Sequence, residues 1–255
     1  MQAEWRFPSN DHGEIKGIND SGVSMFKGEP LKSLAREICQ NSLDAAIGGT
    51  VMVEFNLFKL PMDSFPGKEY LNDVFNRCLD FWSTQKTSDT KNFFLEAKRT
   101  LSKEYCMFLR ISDFNTKGLT GSRELRTTDW TDLIKSSGSS DKKGTAGGSF
   151  GIGKFAPFAC SSLGSVFYST YDMYEEKAFQ GVSRLVTFIN DKDETTQGIG
   201  YYGNPEKNTP IYTELNLDRN FKRKEKEFEI MCMPSFQTCH VEFEGFGLSI
   251  IRPTY

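Results

Sequence analysis

Between Ser136 and Phe155 the chain reads SSGSSDKKGTAGGSFGIGKF, and this stretch constrains the fold more than any other. Residues 136–149 hold almost nothing that could fill a core, so they read either as a flexible linker between two domains or as a loop within one. The continuation SFGIGKFAPFACSS favours the loop. Closely spaced glycines lead into an apolar run there, which predicts a helix after Gly153. A chain of 255 residues then reads as a single domain with ample length for one core.

The segments on either side have distinct periodicities. Residues 1–30, rich in Gly, Asn, Asp and Ser, read as loop. From Leu31 to Ile47, the residues Leu31, Leu34, Ala35, Ile38, Ser42 and Ala45 fall on one arc at helical spacing, and Gly48-Gly49 supplies a stop. Residues 50–60 alternate, with Val51, Val53, Phe55 and Leu57 on one side, as in a half-buried strand. Residues 68–104 read as an insert of two helices joined by the polar stretch 83–90, and Met107 to Ser112 as a short strand ending at Asp113. After the glycine stretch, strand-like runs recur at 164–171, 181–189, 209–217 and 241–251, with a charged helical segment, KRKEKEFEIM, between the last two. This order predicts an α+β fold, with a mixed sheet covered by helices on one face.

Several function classes are excluded early. The formal net charge of −3 gives no overall attraction to nucleic acid or anionic lipid. No apolar run nears the roughly 20 residues of a membrane span, and the N-terminus lacks a secretory pattern. The expectation is a soluble, cytoplasmic protein. The six cysteines are scattered without a CxxC pair, which argues against a zinc site or a disulfide framework. Neither histidine, His12 nor His240, sits in a nucleophile-like setting. Chemistry must therefore run on carboxylates, amides and backbone donors.

Three constellations could supply it. In REICQNSLDAA, Glu37, Asn41 and Asp44 follow i, i+4, i+7 spacing and share about 60° of helix surface beside the apolar arc. A carboxylate one turn from a carboxamide can polarise a water while the amide oxygen holds a hydrated Mg²⁺. The same residues also suit an ordinary solvated face. Next, Asp113 ends a strand ahead of FNTKGL. A carboxylate there accepts from a ligand amino group such as that of adenine, or merely closes an Asx turn. Gly118 would let the backbone come close to a base. Finally, GGSFGIGKF exposes backbone N–H groups that can cradle phosphates, with Lys154 as an added point charge. Gly148 to Lys154 also fits GxxxxGK, but Phe155 fills the slot of the Mg²⁺-binding Ser or Thr and no apolar strand precedes it, so a P-loop is rejected.

In this order, EICQNSLDA, ISDFNTKGL and GGSFGIGKFAPFA resemble the N-box, the adenine-binding box and the ATP lid of the GHKL superfamily of gyrase, heat-shock chaperone, histidine kinase and MutL ATPases. The resemblance spans about Leu31 to Leu217. It implies a Bergerat-type two-layer α/β sandwich with a mostly antiparallel sheet, the segment 68–104 being an insert. It implies ATP and Mg²⁺ as ligands, with Glu37 as general base, Asn41 as the metal-binding amide and Asp44 as a supporting N-box residue. Asp113 matches the adenine-reading carboxylate, and Gly118 and Leu119 match the residues that follow it beneath the base. Gly148, Gly151 and Gly153 match lid glycines, with Ile152 and Lys154 among them, and Thr209 is similar to the later threonine that shares the adenine water. One departure stands out. Asn115 replaces the first glycine of the adenine box, and Thr116-Lys117 adds a residue. Asparagine tolerates left-handed backbone, so the turn is expected to survive.

The implied activity is slow Mg²⁺-dependent ATP hydrolysis, with lid closure driving a clamp or a homodimer. Retention of Glu37 and the lack of a phosphoacceptor histidine helix favour hydrolysis over kinase activity. The alternatives are a nucleotide-gated binding module with little turnover and a nucleotide-free interaction domain. The abrupt end after GFGLSIIRPTY suggests the N-terminal part of a longer protein, with DNA or a partner protein engaged through domains outside this chain. Work on DNA or in defence is compatible with this by analogy alone.

Overall fold

The computed structural model describes residues 2–84, 88–136, 152–213, 221 and 228–234. Seven strands form one sheet in the order β1-β6-β5-β4-β7-β3-β2. These are β1 (Glu4–Arg6), β2 (Met52–Pro61), β3 (Tyr105–Phe114), β4 (Ser161–Tyr171), β5 (Lys177–Arg184), β6 (Ile199–Gly203) and β7 (Phe228–Pro234). The helices are α1 (Ser21–Ser24), α2 (Pro30–Asp44), α3 (Lys68–Phe81), α4 (Asp89–Leu101), α5 (Asp129–Ile134) and α6 (Ala156–Ala159). The α+β class holds. Every strand pairing among the described residues is antiparallel, so the sheet is not mixed there.

Successive residues of a strand point to opposite faces, and that alternation splits the core in two. Along β3, Cys106 and Phe108 join one buried cluster, while Leu109 and Ile111 join the other. The second cluster carries Leu34 and Ile38 of α2, Trp130 and Ile134 of α5 and Phe158 of α6. The helices expected over one face are these. The insert caps the opposite face: Leu71, Val74, Phe75 and Cys78 of α3 and Phe94, Ala97 and Leu101 of α4 pack with Phe108 and Phe167. The insert helices bury apolar residues at helical spacing, i, i+3, i+4 and i+7 in α3 and i, i+3 and i+7 in α4, which is why their pattern was readable.

The charged segment KRKEKEFEIM departs from expectation. Its last four residues, Phe228 to Met231, lie in β7 rather than in a helix, and β7 sits between β3 and β4 at the centre of the sheet. Two ladders of inter-strand hydrogen bonds outweigh the weak helix preference of a Lys/Glu run. Residues 1–30 are not all loop, since they contribute β1 and α1. The run 181–189 stays in the sheet only to Arg184. Of 209–217, Thr209 and Ile211 form isolated bridges, to Asn204 and Phe179, and residues 214–217 lie outside the described residues, as does the run 241–251. Among the described residues, no helix is long and apolar enough to cross a membrane.

Candidate functional site

Helix α2 ties the first two motifs together. Its apolar arc faces the sheet through Leu34, Ala35 and Ile38, and Ser42 continues that arc. A hydroxyl on a buried arc needs a partner. Ser42 Oγ finds it in Asp113, donating to Oδ2 at 2.9 Å. Asp113 is itself buried, at 5% exposure, on the same side of β3 as Ile111. Thr116 Oγ1 donates to its other oxygen at 3.2 Å. The carboxylate is thus aimed by two hydroxyls, one from the helix and one from the turn.

The turn after Asp113 bridges two strands. Asn115 adopts φ +62°, the left-handed conformation expected where it replaces glycine, and its Nδ2 donates to Thr50 O at 2.8 Å. Lys117 N donates to Ala45 O at 2.9 Å, which stitches the turn to the end of α2. Gly118 has φ +70°, and a Cβ there would lie 2.9 Å from Asp172 Cα and 3.0 Å from Thr170 Oγ1, so only glycine fits. Leu119, half-buried against the α2-side core, donates its N–H to Thr170 Oγ1 at 3.0 Å. Asp113 and Thr170 both register on Phe228 of β7, so they lie level with one strand between them, about 10 Å apart.

The third motif meets the first at Gly153. A Cβ on that residue would fall 2.0 Å from Glu37 Oε2, so the half-buried carboxylate rests against the glycine backbone. Asn41 and Asp44, farther along α2, are exposed, and Asp44 accepts from Gln40 Nε2 at 2.9 Å. Ile152 precedes a 3-10 turn at Gly153–Phe155, and the helix that follows, α6, is a single turn. Gly148 and Gly151 lie outside the described residues.

Two assignments change. Lys154 does not project as a point charge: it is 7% exposed, and its Nζ donates to Asp132 O at 2.9 Å and Ser136 O at 2.6 Å, at the end of α5. Burial, and then Arg184 nearby, push its ammonium below the ordinary lysine value, against the pull of Asp132. Its aliphatic stem follows Gly153 into the packed side of the turn, where carbonyls at a helix end are the available acceptors. Thr209 does not join Asp113 either. It bridges Asn204 just past β6, and β5, β4 and β7 separate β6 from β3. The threonine level with Asp113 is Thr170. Sequence reasoning missed Ser42, Thr116 and Thr170. A polar residue on the apolar arc of α2 was the available signal for Ser42, whereas nothing local marks Thr170.

No family model matches the chain, and no curated protein matches it. The functional reading therefore rests on the residues and their placement.

Proposed function

We propose that the chain binds ATP with Mg²⁺ and hydrolyses it slowly, in the manner of a GHKL ATPase. The observation that carries this reading is that one helix reaches both other motifs: Ser42 holds Asp113, and Glu37 abuts Gly153. Separate surface roles for the three segments would not require that convergence. The residues present fit the ligands. Asp113 is a buried, pre-aimed carboxylate suited to accept from the adenine amino group, and Leu119 offers an apolar contact beside it. Asn41 is exposed one turn from Glu37 and would hold a hydrated Mg²⁺, which needs few protein ligands and neutralises phosphate charge.

In this reading Glu37 takes a proton from a water as its oxygen attacks the γ-phosphorus. The bond to the β-γ bridging oxygen breaks, and ADP leaves with that electron pair. The backbone at Gly153 fixes where the Glu37 carboxylate stands. The output would be an ATP-dependent change of assembly, a clamp or a homodimer, coupled to DNA or a protein partner. Calorimetry with a non-hydrolysable ATP analogue and Mg²⁺, together with a phosphate-release assay, tests the reading. Glu37→Ala keeps binding and loses roughly 10²–10⁴-fold in turnover. Unchanged turnover removes Glu37 as the base, and no analogue binding by the wild-type chain ends the reading.

A further inference from the structure

A cleft of about 1010 Å³ opens at the end of β3 away from Asp113. Met107 lines it, whereas Asp113 stands about 20 Å farther along the strand. Phe93 of α4, Phe158 of α6 and Leu185 give it apolar walls, and Asp20 and Arg184 give it a charged end.

Three charged side chains meet at that end. Arg184 Nη1 donates to Asp20 Oδ2 at 3.2 Å, and Lys16 Nζ approaches the same oxygen at 3.1 Å. The side chains of Arg184, Asp20 and Lys16 are only 10%, 17% and 22% exposed. Two half-desolvated cations therefore share one carboxylate oxygen, while Asp20 Oδ1 is taken by the N–H groups of Gly22 and Val23. Lys16 Nζ is sealed from solvent, with Asp20 as its ion-pair partner. Burial lowers the Lys16 ammonium from its ordinary value; Asp20 opposes that shift and Arg184 adds to it. Glu14 is the other carboxylate acting on Lys16, and Lys154 adds a further cation near Arg184. Of the two cations on Asp20, Arg184 is the one that lines the cleft, where it would meet an anion.

Arg184 is built to receive one. Its guanidinium stacks 4.4 Å from the Phe155 ring centroid and 5.5 Å from that of Phe158, which holds the fork in one plane. Only one of its N–H donors is used among the described residues, and Arg184 lines the cleft. Lys27 and Lys103 stand exposed at the rim against the single carboxylate of Glu96.

We propose that this cleft binds a small organic oxyanion, its phosphate or carboxylate seated on the Arg184 fork and its apolar body against Phe93, Phe158 and Leu185. The inference does not rest on the nucleotide reading. Benzyl phosphate, benzoate, inorganic phosphate and benzyl alcohol, titrated into the full chain by calorimetry, test it. The expected result is that benzyl phosphate or benzoate binds at least about tenfold more tightly than inorganic phosphate or benzyl alcohol, and the tighter of the two names the head group. Arg184→Gln should abolish the preference. Thr100→Trp, which fills the cleft from α4 without touching the Asp20 cluster, should do the same at unchanged melting temperature, so the test stands even if the Arg184 variant fails to fold. A saturating ATP analogue with Mg²⁺ should leave the probe bound. Displacement by that analogue, indifference to both substitutions, or no binding at millimolar probe overturns the proposal.

Discussion

The two faces of the sheet are covered by helices of similar character and do different things. On the insert side, Phe108, Phe167 and Phe179 meet Phe65, Phe75 and Phe94 in a cluster of aromatic and aliphatic side chains. On the α2 side, the apolar cluster is interrupted by Asp113, Ser42, Thr170 and Lys154, all buried and all hydrogen-bonded. Both faces bury hydroxyls, such as Ser165 and Ser183 on the insert side, but the buried charges Asp113 and Lys154 lie on the α2 side, and a buried charge costs heavily unless it is satisfied.

Substitutions should separate the faces. The largest effect on stability belongs to the insert side. Phe75→Ala, at 0% exposure, should cost about 3–5 kcal/mol in chemical denaturation, with nucleotide affinity of the folded fraction unchanged. A loss of affinity there would join the two faces into one functional unit. Asp113→Asn should act the other way, weakening ATP-analogue binding about 10- to 100-fold by calorimetry with a smaller change in stability. A finer contrast lies within the sheet: Thr170→Val should weaken analogue binding by about threefold to tenfold, while Thr209→Val leaves it unchanged. The reverse pattern would favour Thr209 over Thr170 in the proposed nucleotide site.

The smallest effect concerns Lys135, which donates to Asn208 O and lies 3.6 Å from the Tyr201 ring centroid. Burial lowers its ammonium from 10.5 to about 8. Between those values the unfolded chain holds a proton that the folded chain has released, so the contribution of this residue to stability rises with pH across that window. Lys135→Met should flatten that rise in melting temperature between about pH 8 and pH 10.5.

The parts legible in the sequence were those dictated by local pattern. The period of α2, α3 and α4, the presence of a strand leading into Asp113 and the left-handed turn at Asn115 follow from side-chain spacing and backbone preference, although β3 runs from Tyr105 to Phe114, longer than its apolar run. The parts that were not legible depend on partners far along the chain. Lys154 reads as a phosphate ligand until the carbonyls of Asp132 and Ser136 are placed beside it. Thr170 becomes a neighbour of Asp113 only through β7, whose charged approach carries the pattern of a different element.

That central position of β7 also sets an order of events during synthesis. The carboxylate on β3 and the hydroxyl on β4 emerge from the ribosome well before Phe228, the residue on which both register. Until then β3 and β4 each lack the strand that lies between them, and an unpaired edge invites the wrong partner. Asp113 and Thr170 take up their level positions only once β7 is in place.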